Sequence, residues 1–546
     1  MLLRYHRLIW LALAALLLSS CSRPGMAPAS SGPTLSLAEF AYPPSLDPVQ
    51  ANGGNASMYL QSVFSGLMRY DGSGQLVPDL AAKWTVSADR TIYTFTLRSN
   101  AHFQNGDPVT AQSLLYAINR ACDPKSGSPV AGDYLDIIRG VTERLAGKAD
   151  TVSGVTAPSA DVVQFTLIKP DSSFLARLTF PVTFALDKAT VDAGGPNWWQ
   201  RPNGSGPFRL TQWQPDNAAV LERFDGYYGP PPSVAKVVLH SATVLNNLPQ
   251  AFANGSLDLL PLGPPDIASL LDPSSNVPPQ LRQALHVYDR SSLEYLAFNI
   301  HKAPFDTLAA RVAVNLSINR QQLVASALGG DGWPAHAILP PGFPGYQPNV
   351  DPYPFNVAAA KAALQSSRTT AGTPIVFASA ERLPNGQPGP VTSAIAAMLQ
   401  QGLGLQIQLR YVPEPDLDTM LAAGKPPGDI SLTGWQADYL DDQDFLDLLF
   451  HTGRRSNLMQ YSSQAVDHLL DVAAGTAGTS ERVALYQQAQ TAILHDAPIA
   501  PLYFDREFAL LNPRVSRLSL LPDGSYDLRD ATISSSPPAT AASGAA

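Results

Sequence analysis

Strand and helix alternate without a break between residues 374 and 434, and this rhythm constrains the fold more than any other feature of the chain. Residues 374–378 read as a strand, 391–401 as a helix, 405–412 as a strand, 415–423 as a helix and 429–434 as a strand. Consecutive strand–helix–strand units need crossover connections, so a mostly parallel or mixed sheet covered by helices is expected. Ligands of such sheets lie beyond the carboxyl ends of the strands, which directs attention to the segment after Gly434. Earlier in the chain, 91–97 (TIYTFTL) and 161–167 (DVVQFTL) alternate as strands do. Residues 110–121 put Leu114, Leu115 and Ile118 on one stripe behind a Thr110 cap and read as a helix. Gly204-Ser205-Gly206-Pro207 reads as a tight structural turn.

The amino end fixes a compartment. Residues 1–20 carry Arg4 and Arg7 and then an apolar run from Leu8 to Leu18, an export signal too short for the roughly 20 residues that span a bilayer. Leu18-Ser19-Ser20-Cys21 resembles a bacterial lipobox, with Cys21 the residue to be lipidated. One other cysteine, Cys122, remains, so the mature chain has no intrachain disulfide. Residues 21–33 read as a flexible linker and 534–546 as a disordered low-complexity tail. Between them lies a body rich enough in hydrophobic residues, 45% of 546 overall, for several large cores. A formal net charge of −9 argues against nucleic acid as a partner, since that needs a basic footprint.

Familiar catalytic devices are missing. There is no P-loop pattern, no H-E-x-x-H, no G-x-S-x-G and no paired C-x-x-C. The nine histidines are scattered, none at the spacing of helical metal ligands, so neither a metal nor a cofactor is expected. Asp438, Asp441, Asp442, Asp444 and Asp447 form the one dense carboxylate cluster. It fails as an EF-hand, because the sixth position from Asp442 is Asp447 in place of Gly and the twelfth is Gly453 in place of Glu. A carboxylate pair for glycoside hydrolysis remains an alternative. Cys122 reads as a buried or surface thiol, not a nucleophile.

Several stretches together resemble the bacterial extracellular solute-binding proteins of the oligopeptide/dipeptide-binding family, which serve ABC importers. They are SLDP from Ser45, YLQSVFSGLMRY from Tyr59, PDLAAKW from Pro78 and HFQNGDPVTAQSLLYAINRA from His102. NGSGPFRLTQW from Asn203, YLAFNIHKAPFDTLAARVAVNLSINRQQLV from Tyr295, DISLTGWQADYLDDQDF from Asp429 and APIAPLY from Ala497 follow in the family's order. The resemblance implies an α/β fold of the two-lobed periplasmic-binding type (type II, large peptide-binding class) with an extra subdomain. Lobe I would comprise 34–288, with the subdomain at 71–199, and a return segment 500–533; lobe II would comprise 289–499. Ligand would be held in the cleft as the lobes close about a hinge.

The same resemblance implies the site. In WQADY, Asp438 matches the Asp that pairs with a ligand's α-ammonium in peptide-binding members, with Trp435 and Tyr439 beside it. Arg382 resembles the Arg that holds a ligand carboxylate in dipeptide binders, and Asn52 and Gly53 fall in the family's ligand-facing loop. Asp442 replaces a Pro of the family pattern, which would loosen or recharge the loop nearest the site, and Asn319 replaces Asp in I-D-R. The expected protein is a monomeric, lipid-anchored, extracytoplasmic solute receptor and not an enzyme. Its partners are a short peptide, permease subunits of an ABC transporter, and the membrane through Cys21. A non-peptide solute such as an oligosaccharide, and a secreted hydrolase using Asp438–Asp447, are the alternatives.

Overall fold

Tyr93, Phe95 and Leu97 are buried while the residues between them are half-buried, so Ile92–Leu97 has the single apolar face that its alternation requires. It lies inside a four-stranded antiparallel sheet, in the order Ala81–Val86, Ile92–Leu97, Val162–Thr166, Val155–Ser159. Ala111–Ala121 is helical from its Thr110 cap; Leu114 and Ile118 are buried and Leu115 is half-buried. The computed structural model describes residues 32–534 apart from 51–53, 246, 368, 384 and 385. Residues 1–20, Cys21, Asn52, Gly53 and 535–546 therefore lie outside the described residues. Among the described residues no helix is long and apolar enough to cross a membrane.

Two large sheets organise the rest. The first has seven strands in the order Leu285–Asp289, Arg506–Leu511, Leu259–Pro261, Thr34–Glu39, Lys236–Ser241, Ala218–Arg223, Phe208–Gln214. Its pairing begins one residue before the expected start of the body, because the Pro33 carbonyl accepts the Ala235 N–H at 2.9 Å. Ser534 likewise donates its N–H to the Arg514 carbonyl at 2.9 Å and so joins the body, not the tail. Beside this sheet, the turn at Gly204 and Gly206 is glycine for steric reasons: a Cβ at 204 would fall 1.9 Å from the Val63 carbonyl oxygen.

The second sheet has six strands, in the order Trp333–Pro334, Ile499–Phe504, Ser292–Phe298, Ile430–Gln436, Pro374–Ser379, Gln406–Tyr411. The elements that matter below are β1 (Ser292–Phe298), β2 (Pro374–Ser379), α1 (Pro390–Leu403), β3 (Ile430–Gln436), α2 (Asp442–Phe450) and β4 (Ile499–Phe504). β2 pairs in parallel with Gln406–Tyr411 and with the start of β3, while β1 and β3 are antiparallel, so the sheet is mixed as expected. Both faces are covered. Leu296, Phe298, Ile430 and Leu432 join α1 in one core, and Leu293, Tyr295 and Ala297 join α2 in another. That two-sided burial is why β1 and β4 are apolar nearly throughout.

The chain passes between the large sheets twice, from Asp289 to Ser292 and from Phe504 to Arg506. The second crossing lies at Asp505, not after 499: all six residues of β4 are buried, and the strand pairs with β1 and with Trp333–Pro334 inside the six-stranded sheet. The crossings are tied together. Arg290 N–H donates to the Asp505 carbonyl and Ser292 Oγ donates to Asp505 Oδ2, each at 3.1 Å.

Candidate functional site

β3 is longer than its neighbour β2. Their pairing stops at Ala378 with Ser431, yet β3 continues against β1 as far as Gln436 with Ser292. From Leu432 to Gln436 the strand thus offers one edge with no strand partner among the described residues. A cavity of about 540 Å³ opens along it, lined by Trp435, Glu294, Glu381, Glu414, Tyr503 and Asp505 among others. The strand then leads through Ala437, whose N–H donates to the Ser291 carbonyl at 2.7 Å, to Asp438.

Asp438 sits where the two halves meet. Asp444, on the first turn of α2, orients the approach: its Oδ2 accepts Trp435 Nε1–H at 3.1 Å and the Asp438 N–H at 3.2 Å. From the other half, the Tyr134 hydroxyl donates to Asp438 Oδ2, and its ring stacks on Phe180 at 4.1 Å between centroids. The carboxylate has no Lys, Arg or His ion-pair partner among the described residues. Burial first, then Asp444, Asp523 and Asp133, hold it well above the usual carboxylate range. Asp444, itself fully buried, is raised first by the same desolvation, and its Oδ1 has no hydrogen-bond partner among the described residues. A small cavity of about 10 Å³, room for one water, adjoins Asp438 with Gln61, Tyr70 and Asp523.

Other bonds close the halves on each other. Arg454 pairs with both Asp447 and Asp136, Tyr70 Oη accepts the Leu440 N–H at 2.9 Å, and Gln436 Nε2 donates to the Pro522 carbonyl at 2.8 Å. Arrangements of this kind, a cleft between two sheets joined by two crossings, suit capture of a small guest.

Residues 75–457 match the family model described as bacterial extracellular solute-binding proteins, family 5. The chain belongs to this family. This family 5 solute-binding protein is 29% identical over 504 residues to the dipeptide-binding protein DppE of Bacillus subtilis, covering 89% of each chain. It is also 29% identical to the probable deoxycholate-binding periplasmic protein YgiS of Escherichia coli, covering 94% of this chain and 96% of that one. Among solved structures, the murein tripeptide binding protein MppA of Escherichia coli superposes with a TM-score of 0.79 at 25% identity, over 93% of this chain and 99% of that chain. The fold of the family 5 protein is thus the two-lobed type II fold expected from its sequence.

The residues expected at the site divide. Trp435 lines the large cavity and Asp438 the small one. Tyr439 does not reach either: it is fully buried, its hydroxyl donates to Gln443 Oε1 at 2.5 Å, and its ring meets Tyr134 edge-on. Arg382 is exposed and turned away from the large cavity, its Nε donating to the Gly386 carbonyl at 3.0 Å and its guanidinium lying over the Tyr411 ring. Its neighbour Glu381 points inward instead, accepting the Val391 and Thr392 N–H groups at the start of α1. Asp442 does not loosen its loop. It occupies the first turn of α2, where Pro also fits, and its Oδ1 accepts the Gly345 N–H at 3.0 Å. Asn319 caps the helix Arg320–Ala327 through the Gln322 N–H at 3.0 Å.

The carboxylate cluster does not favour the hydrolase alternative: Asp441 is paired with Arg482, and Asp438 and Asp447 line separate cavities. Glu294, Tyr134 and Tyr503 escape a motif search. Only Glu294 leaves a trace, as the one charge inside the apolar run of β1.

Proposed function

We propose that the protein is a lipid-anchored extracytoplasmic receptor that captures short peptides between its lobes and hands them, unaltered, to the permease subunits of an ABC importer. Lipidation at Cys21 tethers it to the membrane as a monomer. Lobe I comprises 34–288 and the return segment, lobe II the chain from 289 to the crossing at Asp505. One observation carries the reading: the unpartnered edge of β3 runs directly to Asp438, a carboxylate turned into protein with no cation beside it. A peptide backbone added to that edge gains main-chain hydrogen bonds that ignore side-chain identity. Its α-ammonium supplies the charge that Asp438 lacks, in a charge-assisted bond between closed lobes.

Relatives whose names specify a dipeptide and a murein peptide support this reading. The relative named for deoxycholate raises an anionic guest instead. A cleft walled by Glu294, Glu414 and Asp505 repels such an anion. Asp438→Ala is expected to weaken binding of short peptides by well over tenfold, because truncating one partner of a buried charged pair costs roughly 2–5 kcal/mol. The melting temperature of the ligand-free protein does not fall, since an uncompensated buried carboxylate is removed. Calorimetry showing unchanged peptide affinity in this variant overturns the assignment.

A further inference from the structure

The register of β1 determines what faces the large cavity. Leu296 and Phe298 point into the core beneath α1, and Glu294, two residues before Leu296, points the same way. The helical cover ends there: Pro390 and Val391 at the start of α1 already line the cavity. Glu294 is therefore a core-facing position without a core. Its neighbours across the sheet are Gly434 on β3 and, after a register shift, Tyr503 on β4. Gly434 leaves the space in which the Glu294 carboxylate lies, because a Cβ there would fall 2.0 Å from Oε1.

Tyr503 is only 7% exposed and lines the cavity, and its hydroxyl makes no hydrogen bond to the described residues. Neither does the Glu294 carboxylate. Glu414 and Asp505 stand on the same wall, and Glu381 is occupied by the start of α1. Arg290 is the one cation lining this cavity, and it is 3.9 Å from Glu507 of the other sheet. Desolvation, then Asp505 and Glu414, push the Glu294 carboxyl well above the usual range against the opposing influence of Arg290, and a wall with four carboxylates and one guanidinium favours added positive charge.

We infer that the cavity is a side-chain subsite for a basic residue of the bound peptide, a lysine or arginine whose charged end reaches Glu294 and the Tyr503 hydroxyl oxygen. The inference rests on the peptide-receptor reading above and adds a charge class to it. Leu432, on the same face of the sheet as Glu294, supplies apolar surface for the methylene stem. A neutral side chain leaves Glu294 unpaired, and an acidic one adds a like charge to the wall.

The test uses tetra-alanine peptides carrying Lys, Gln or Glu at the second, third or fourth position, titrated calorimetrically into the wild-type protein and into Glu294→Gln. At one position Lys is expected to bind roughly tenfold or more tighter than Gln, with Glu weakest. In Glu294→Gln the Lys advantage shrinks to about twofold or less while affinity for the Gln peptide is kept, as removal of one charge-assisted bond requires. Peptides that bind wild type with Lys and Gln equivalent at every position overturn the subsite and leave the receptor reading intact. A Lys preference unchanged in the variant overturns the role of Glu294. If none of the peptides binds wild type, the receptor reading falls and the subsite with it. The wild-type comparison decides the charge class even if the variant does not fold.

Discussion

Glu294 and Gly434 are cross-strand neighbours, and the carboxylate of the first lies where a side chain of the second would be. Two effects of opposite sign therefore meet in Gly434→Ala. The added methyl displaces the Glu294 carboxylate, yet the same substitution restricts the unfolded chain and by itself stabilises by about 0.4–1 kcal/mol. In the wild-type background the displacement wins and urea unfolding shows a net loss. In a Glu294→Ala background nothing stands in the way and Gly434→Ala becomes stabilising. Equal effects in both backgrounds show that the two residues are not coupled.

Arg454 ties the halves together. Carried by the stretch between the two crossings, it pairs with Asp447 on its own side and with Asp136 across the cleft. Asp447 is buried, so removing the guanidinium leaves it without its cation, a loss of roughly 3–5 kcal/mol when a pair is fully enclosed and less at this partly exposed site. Arg454→Ala is expected to enlarge the radius of gyration of the ligand-free protein and to weaken ligand capture through the cost of closing the lobes. Identical scattering curves for variant and wild type exclude Arg454 as a latch.

Residues 374–436 were readable because crossover units leave both the 3.6-residue and the two-residue apolar periods in the sequence; every strand and helix expected there is present within two residues at each end. Site residues were harder, for a reason of geometry. Glu381 and Arg382 are adjacent, but only the first faces the cavity; Asp438 and Tyr439 are adjacent, but only the first meets the cleft. A motif locates a short segment, whereas the face to which each residue turns depends on register, where one step reverses direction. Glu294 shows the converse: its charge in an apolar strand was visible, but its meaning depends on Gly434 and Tyr503, which only folding brings beside it.

Cys122 has no part in chemistry at the cleft. It is fully buried, and desolvation pushes its thiol up to about 12 despite the opposing influence of Arg144. Native protein at pH 8 is expected to resist thiol reagents and to react stoichiometrically once unfolded in urea. Rapid labelling of the native state contradicts the buried position.

Asp442 gives the fold a pH dependence of definite sign. It is 2% exposed, and burial, opposed by the Gly345 N–H bond, pushes its carboxyl up to about 7. In the unfolded chain the same group ionises near 3.9. The stability linked to Asp442 is thus complete below pH 4 and is lost as pH rises towards 7, because the unfolded chain releases the proton first. Asp442→Asn keeps an acceptor for the Gly345 N–H and removes the titration. The variant is expected to match wild type in melting temperature near pH 4 and to exceed it at pH 8, by roughly 2–4 kcal/mol in unfolding free energy. Parallel stability profiles from pH 4 to pH 8 show instead that Asp442 ionises normally in the folded protein.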